Sequence, residues 1–206
     1  MFTRQRPDPS LFPRLLFFVN AALPALLLGW DSFNGRLGTN PQEYLIRTTG
    51  MLTLILMTAT LTISPLVKIT RSPALLPMMK VRRMAGLFTF FYATLHALSY
   101  SWFDKELDVR LIVADLLRRP FIFLGMFAFI LLVPLAITST KRMVRRLGGR
   151  RWNLLHRLVY LSAIAASVHY YLLVRADKLL PLAFATTIFL LLLWRGRDWS
   201  RRIGQP

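Results

Sequence analysis

The 206-residue sequence contains no cysteine. That excludes disulfide exchange, thiolate-held iron–sulfur clusters and covalent c-type haem attachment, which needs a Cys-x-x-Cys-His run. Acids are scarce, with nine Asp and Glu against 27 Lys and Arg, and histidine is scarcer, with three in the whole chain. Histidine carries no electrons of its own, so any redox chemistry must use a bound cofactor. What is abundant is apolar: 55% of the residues are hydrophobic, and they cluster in runs.

Runs of roughly 17 to 25 apolar residues are long enough to cross a ~30 Å hydrocarbon core. Six are visible, at residues 15–30, 49–66, 84–102, 121–138, 152–174 and 179–194. The expected fold class is an all-α, six-transmembrane-helix bundle, a single membrane domain over residues 1–206. Pro24 falls inside the first run and predicts a kink, and Pro120 stands at the start of the fourth, where a helix accepts it. Arg4, Arg6 and Arg14 precede the first run as in a secretory signal, but no small-x-small cleavage site follows, so an uncleaved span is expected. Trp30, Trp102, Trp152 and Trp194 fall at span ends, where interfacial anchors belong.

The net charge of +18 suggests nucleic acid until the charges are placed. The N-terminal tail, the 2–3 and 4–5 connections and the C-terminal tail carry 18 of the 27 basic residues, among them Lys80, Arg82, Arg83, Arg145, Arg150 and Arg151. Seven of the nine acids lie on the opposite side: Asp31, Glu43, Asp104, Glu106, Asp108, Asp115 and Asp177. This is the positive-inside pattern, with both termini cytoplasmic and a basic face toward anionic lipid. Membrane lipid is the expected partner of the charge, and nucleic acid is not.

The histidines carry the chemistry. A histidine inside a membrane span is costly without a partner, which makes it a functional candidate. His96 lies 13 residues after Arg83 in span 3, and His169 lies 13 after His156 in span 5. Both spans run outward, and 13 residues rise about 20 Å. His96 and His169 therefore reach one depth in the outer half, where two imidazoles on different helices can ligate one haem iron from opposite sides. Ala93, Ala97, Ala165 and Ala166 would leave room for a flat macrocycle, and Tyr92, Tyr100 and Tyr170 could pack on it or bond its edge. The plainer reading is a hydrogen bond between helices. His156 sits near the cytoplasmic face opposite Arg82 and Arg83 rather than another histidine, so it marks a second haem site only if some other group completes it. Arg82, Arg83, Arg151 and Arg157 could pair with haem propionates, a flavin phosphate or a quinone carbonyl, or else with lipid headgroups. Asp104, Glu106, Asp108 and Asp115 form a candidate docking patch on the outer face.

Several segments then become recognisable in order: Arg82-Arg83-Met84-Ala85-Gly86-Leu87 running to Ala93-Thr94-Leu95-His96, Arg119-Pro120, Thr138-Ser139-Thr140, Gly149-Arg150-Arg151-Trp152-Asn153-Leu154-Leu155-His156, and Val168-His169-Tyr170. Together they resemble the MsrQ (YedZ) family, haem-binding membrane subunits of bacterial periplasmic methionine sulfoxide reductase systems within the ferric-reductase-like transmembrane superfamily. The resemblance runs from about Gly38 to Arg195. It implies a haem b electron-transfer subunit of the bacterial inner membrane, with His96, His156 and His169 at haem-associated positions. The implied acceptor is the periplasmic molybdopterin enzyme MsrP, which would carry the substrate chemistry, and the implied donor is the quinone pool or a cytoplasmic flavin reductase. FMN is a further family cofactor, for which no motif is recognisable. The chain departs from the wider superfamily in having a basic place where a fourth histidine would stand and no flavin–nucleotide domain after span 6, so one haem or two stays open. The rival functions are a self-sufficient ferric or oxygen reductase and a haem-free transporter.

Overall fold

A computed structural model describes residues 11–203, with side chains described for residues 11–198. Arg4 and Arg6 of the N-terminal basic tail lie outside the described residues, as do the side chains of Arg201 and Arg202. Eight α-helices make up the described chain, and no strand occurs among the described residues: α1 Leu11–Phe33, α2 Pro41–Thr70, α3 Leu76–Ser99, α4 Val109–Arg118, α5 Pro120–Ile137, α6 Lys141–Leu155, α7 Leu158–Leu173 and α8 Leu179–Ile203. The protein is an all-helical membrane protein. Four helices are long and apolar enough to cross a bilayer: α1, α2, α5 and α8 over Leu179–Asp198. α3 is long enough at 24 residues but carries Lys80, Arg82 and Arg83, and α7 is apolar but only 16 residues long.

Local chemistry sets several ends. α2 starts with Asn40 accepting from the Glu43 N–H at 3.2 Å while its own amide reaches the Glu43 carboxylate at 3.1 Å, with Pro41 at the first turn. It stops at Arg71 in the left-handed conformation. At 30 residues α2 is about 45 Å long and overshoots the expected 49–66 at both ends.

Five helices close a ring: α2 packs on α3, α3 on α5, α5 on α7, α7 on α8, and α8 back on α2. α1 lies outside the ring against α3. Leu54, Met57 and Leu61 of α2, Ala163 of α7 and Ile188 of α8 form one core cluster, and Ala93 with Leu132 and Leu135 forms another between α3 and α5. Phe90 stacks on Phe129 across the second cluster, while Phe88 meets Phe17 and Phe18 of α1, so the aromatic run of α3 is helix–helix packing. Ser162 donates to the Ala128 carbonyl at 2.9 Å, a buried bond tying α7 to α5.

Three sequence expectations need correction. The run expected as one helix over 152–174 is broken at His156–Arg157, where α6 ends and α7 begins. No proline or glycine stands at that point in the sequence, and the contacts to Thr138 described below are made at the break. α6 is itself bent where Gly148 takes φ 73°, a conformation that favours glycine. Second, α4 is a helix where a loop was expected. Its Asp108 cap accepts from the Arg110 N–H at 2.7 Å. Third, Asp115 is buried rather than displayed for docking. It takes Lys105 at 2.6 Å, the Tyr100 hydroxyl at 2.9 Å and Arg119 at 3.5 Å. Asp104 and Glu106 are what remains exposed of the candidate acidic patch apart from the capping Asp108.

Candidate functional site

The site begins with two carbonyls near the N-terminal ends of α2 and α5. His96, on α3, places Nδ1 at 2.9 Å from the Ile46 carbonyl of α2. His169, on α7, places Nδ1 at 2.6 Å from the Phe121 carbonyl of α5. A carbonyl only accepts, so each Nδ1 carries a proton and donates it. In the neutral imidazole that leaves Nε2 as the lone-pair nitrogen on both rings, the arrangement that prepares a histidine for a metal.

The two rings lie with centroids 6.2 Å apart and planes at 77°, a near-perpendicular arrangement. Imidazoles on opposite sides of one metal put their ring centres roughly 6 Å apart, from about 2 Å of metal–nitrogen bond and about 1 Å from nitrogen to ring centre on each side. Among the described residues no cluster of three or more His, Cys, Asp or Glu side chains could hold a bare ion. Two axial imidazoles without a cage fit a group that brings its own equatorial ligands, as a porphyrin does. Of the small side chains expected around the pair, Ala93 packs against Leu132 and Leu135 of α5, and Ala165 is buried on α7.

The three tyrosines expected near the macrocycle are committed elsewhere. Tyr92 is wholly buried and reaches α1 beside Pro24, donating to the Ala21 carbonyl at 2.6 Å and accepting from the Ala25 N–H at 3.1 Å. Tyr100 donates to Asp115, and Tyr170 packs edge-on to Phe184.

His156 belongs to another place. It follows the last residue of α6, stacks on Trp152 with ring centroids 3.8 Å apart, and puts Nε2 at 3.1 Å from the Thr138 hydroxyl beyond the end of α5. The Trp152 indole donates to the Thr138 carbonyl at 3.0 Å, so Trp152 is a latch rather than a free interfacial anchor. Thr138 spends its only hydroxyl proton on the Pro134 carbonyl at 2.6 Å. With that proton given to Pro134, Nε2 of His156 donates to Thr138 and Nδ1 keeps the lone pair. Phe121 and Thr138 stand 17 residues apart on the chain, about 26 Å along α5, so His156 lies at the far end of that helix from the pair.

The arginines divide. Arg82 is half-buried and donates to the Ser64 hydroxyl at 2.9 Å, Arg83 and Arg151 are exposed, and Arg151 lines an open groove of about 520 Å³ with Arg157, Leu154, Leu155, Leu158 and Leu161. Arg195 is one of the C-terminal basic residues counted in the positive-inside pattern. In the structure it reaches inward to the Tyr160 hydroxyl at 3.0 Å and to the Leu61 carbonyl, and its Nε is buried without a hydrogen-bond partner. A charged residue just past a long apolar run was the available signal. The sequence reading also missed Gly50 and Gly125, which lie directly under the rings of His96 and His169.

Comparison with known proteins gives a consistent result. The family model described as ferric reductase like transmembrane component matches residues 49–167, a stretch that holds His96 and His156 and stops two residues before His169. The protein-methionine-sulfoxide reductase heme-binding subunit MsrQ of Herminiimonas arsenicoxydans is 44% identical over 199 residues, covering 95% of this chain and 89% of that protein. Its counterpart in Rhodospirillum rubrum is 46% identical over 187 residues, 90% of this chain and 88% of that one. The Caulobacter vibrioides protein of the same name is 44% identical over 178 residues, with 86% and 83% covered.

Proposed function

We propose a function from one premise: this chain belongs to the ferric-reductase-like transmembrane family, and within it to the heme-binding subunits MsrQ of protein-methionine-sulfoxide reductase. The reading is that it holds haem b between His96 and His169 and passes electrons to a methionine sulfoxide reductase on the outer side of a bacterial inner membrane. One observation carries it: two imidazoles 6.2 Å apart, each with its Nδ1 proton given to a backbone carbonyl.

The residues then take roles. His96 and His169 hold the iron through Nε2, and the carbonyls of Ile46 and Phe121 fix their tautomers and strengthen them as ligands. Haem, when bound, supplies one-electron transfer. With both histidines holding the iron, no place on it would be left for a substrate, and the sulfoxide chemistry would fall to the partner. That partner is a periplasmic molybdopterin reductase, MsrP. The donor is the quinone pool or a cytoplasmic reduced flavin, at the inner face where Arg82, Arg83, Arg151 and His156 lie. FMN held by this chain belongs to the same proposal and rests on family likeness alone. In this topology α1, α2, α3, α5, α7 and α8 are the six spans, both termini are cytoplasmic, α4 lies on the outer face and α6 on the inner.

The test is a reduced-minus-oxidised spectrum with haem quantitation on the purified full chain and its His96→Ala and His169→Ala variants. Loss of the low-spin b-type signature in both variants supports the ligand pair, and unchanged ligation in either overturns it. The family description raises one rival, direct reduction of ferric chelate or oxygen by the chain itself. Electron delivery to methionine sulfoxide only when the partner is added, with no chelate or oxygen reduction in its absence, decides against that rival.

A further inference from the structure

The two histidine seats are built alike, down to a residue that makes no hydrogen bond to the ring. In each, the accepting carbonyl belongs to a helix residue i and a glycine stands at i+4: Ile46 and Gly50 on α2, Phe121 and Gly125 on α5. In an α-helix the carbonyl of residue i points toward the N–H of residue i+4. An imidazole N–H that reaches the same carbonyl has to approach over residue i+4. A Cβ on Gly50 would stand 2.9 Å from both Nδ1 and Cε1 of His96. A Cβ on Gly125 would stand 2.8 Å from Nδ1 and 2.9 Å from Cε1 of His169. Non-bonded carbon contacts sit near 3.5–4.0 Å, so neither ring keeps its place with a methyl there. Other helical glycines show the contrast: Gly29, Gly149 and Gly196 have nothing within 4 Å, and Gly86 has only a Thr60 methyl at 4.0 Å.

We infer that Gly50 and Gly125 are positioning residues, each opening a seat on its helix that holds one imidazole by Nδ1–H and so sets the spacing and the near-perpendicular planes of the pair. The consequence for ligation rests on the haem reading above; the seat itself rests on the geometry. Alanine at either position moves the ring off its carbonyl. Nδ1–H then loses its acceptor, and the spacing and angle of the pair change.

The experiment uses the full chain with Gly50→Ala, Gly125→Ala and, as control, Gly29→Ala. The first readout is the electron paramagnetic resonance spectrum and haem retention of the ferric protein. Wild type shows the strongly anisotropic low-spin signal of crossed imidazole planes. The two seat variants lose that line shape and retain haem roughly 10-fold more weakly, while Gly29→Ala matches wild type. An unchanged line shape and retention in both seat variants overturns the positioning role. The second readout is thermal unfolding of the haem-free chain in a double-mutant cycle. Gly50→Ala lowers the melting temperature when His96 is present and is neutral or stabilising in the His96→Ala background, and Gly125→Ala behaves likewise with His169→Ala. Equal loss in both backgrounds overturns the seat even if the single variants fold poorly. If His96→Ala and His169→Ala keep unperturbed haem, the ligand reading fails by itself, and the melting cycle still decides the seat.

Discussion

In the proposed topology the outer pair, His96 and His169, and the inner corner at His156 use the same side chain in opposite tautomers. At the outer pair, Nδ1 of His96 and of His169 donates to a helix carbonyl and Nε2 is left to accept. At the inner corner, Nε2 of His156 donates to a threonine hydroxyl that has already spent its own proton, and Nδ1 is left. The difference comes from the neighbour. A carbonyl at the first turns of a packed helix is an acceptor that cannot move, and two such seats hold two rings against each other. A threonine just past the last turn of α5 is a local acceptor, and with Trp152 it ties the α6–α7 corner to the end of that helix. The outer arrangement prepares a ligand, while the inner one makes a fastening.

The largest expected effect separates the two places outright. His96→Ala or His169→Ala abolishes the bis-imidazole low-spin signature, whereas His156→Ala keeps it. Haem quantitation and ferric electron paramagnetic resonance on the three variants read this directly. If His156→Ala instead removes one equivalent of haem, a second site exists at the corner and the contrast fails.

Next in size is the fastening. His156→Ala removes one side-chain hydrogen bond and the stack on Trp152, a loss of about 1–2 kcal/mol. It should appear as a lower melting temperature of the haem-free chain. Hydrogen exchange should rise first in residues 141–157, because that corner is tied to α5 through Thr138. Exchange that rises instead around residues 120–125 and 165–172 would place His156 in the outer structure.

The same comparison explains what the sequence could disclose. Long apolar runs made α1, α2, α5 and α8 legible, since length and composition alone decide them. The equal depth of His96 and His169 was legible from topology and rise per residue, and their rings do meet. The corner was not legible, because the run from Arg150 to Arg175 holds no proline or glycine at His156–Arg157 and the contacts made there are to Thr138, which is remote in sequence. α4 was hidden for a similar reason: Asp115 reads as a surface acid until Lys105, Arg119 and Tyr100 close around it. Gly50 and Gly125 read as ordinary small residues in apolar helices until the Ile46 and Phe121 carbonyls place a ring above each.

A smaller effect sharpens the tautomer argument. Thr138→Val keeps the shape of the corner and the carbonyl that Trp152 uses, but removes the acceptor for His156 Nε2–H. A part-buried donor left without a partner costs about 1 kcal/mol. In the His156→Ala background the same change should cost much less, because the donor is gone. Additive melting losses would mean that His156 and Thr138 do not act on each other, and the proton assignment at the corner would fall.

The smallest effect tests the brace just beyond the outer pair. Tyr100 lies four residues after His96 and donates to Asp115, which the Lys105 ammonium holds below the usual carboxylate range, with Tyr100 and Arg119 adding to the shift and burial opposing it. A carboxyl whose folded value is depressed contributes stability that is fully present above its unfolded value near 4 and is lost as pH falls through the lower folded value. At neutral pH, Asp115→Asn should therefore speed hydrogen exchange in residues 105–118 relative to wild type. As pH falls from about 4 through the lower folded value the two should converge, as the wild-type carboxyl takes up its proton. The haem signature should hold throughout, because the carbonyls that seat the histidines belong to α2 and α5 and not to α4. A low-spin signal that weakens together with the brace would show that the outer pair depends on its surface support, and that the rigidity assigned to the two helix seats is incomplete.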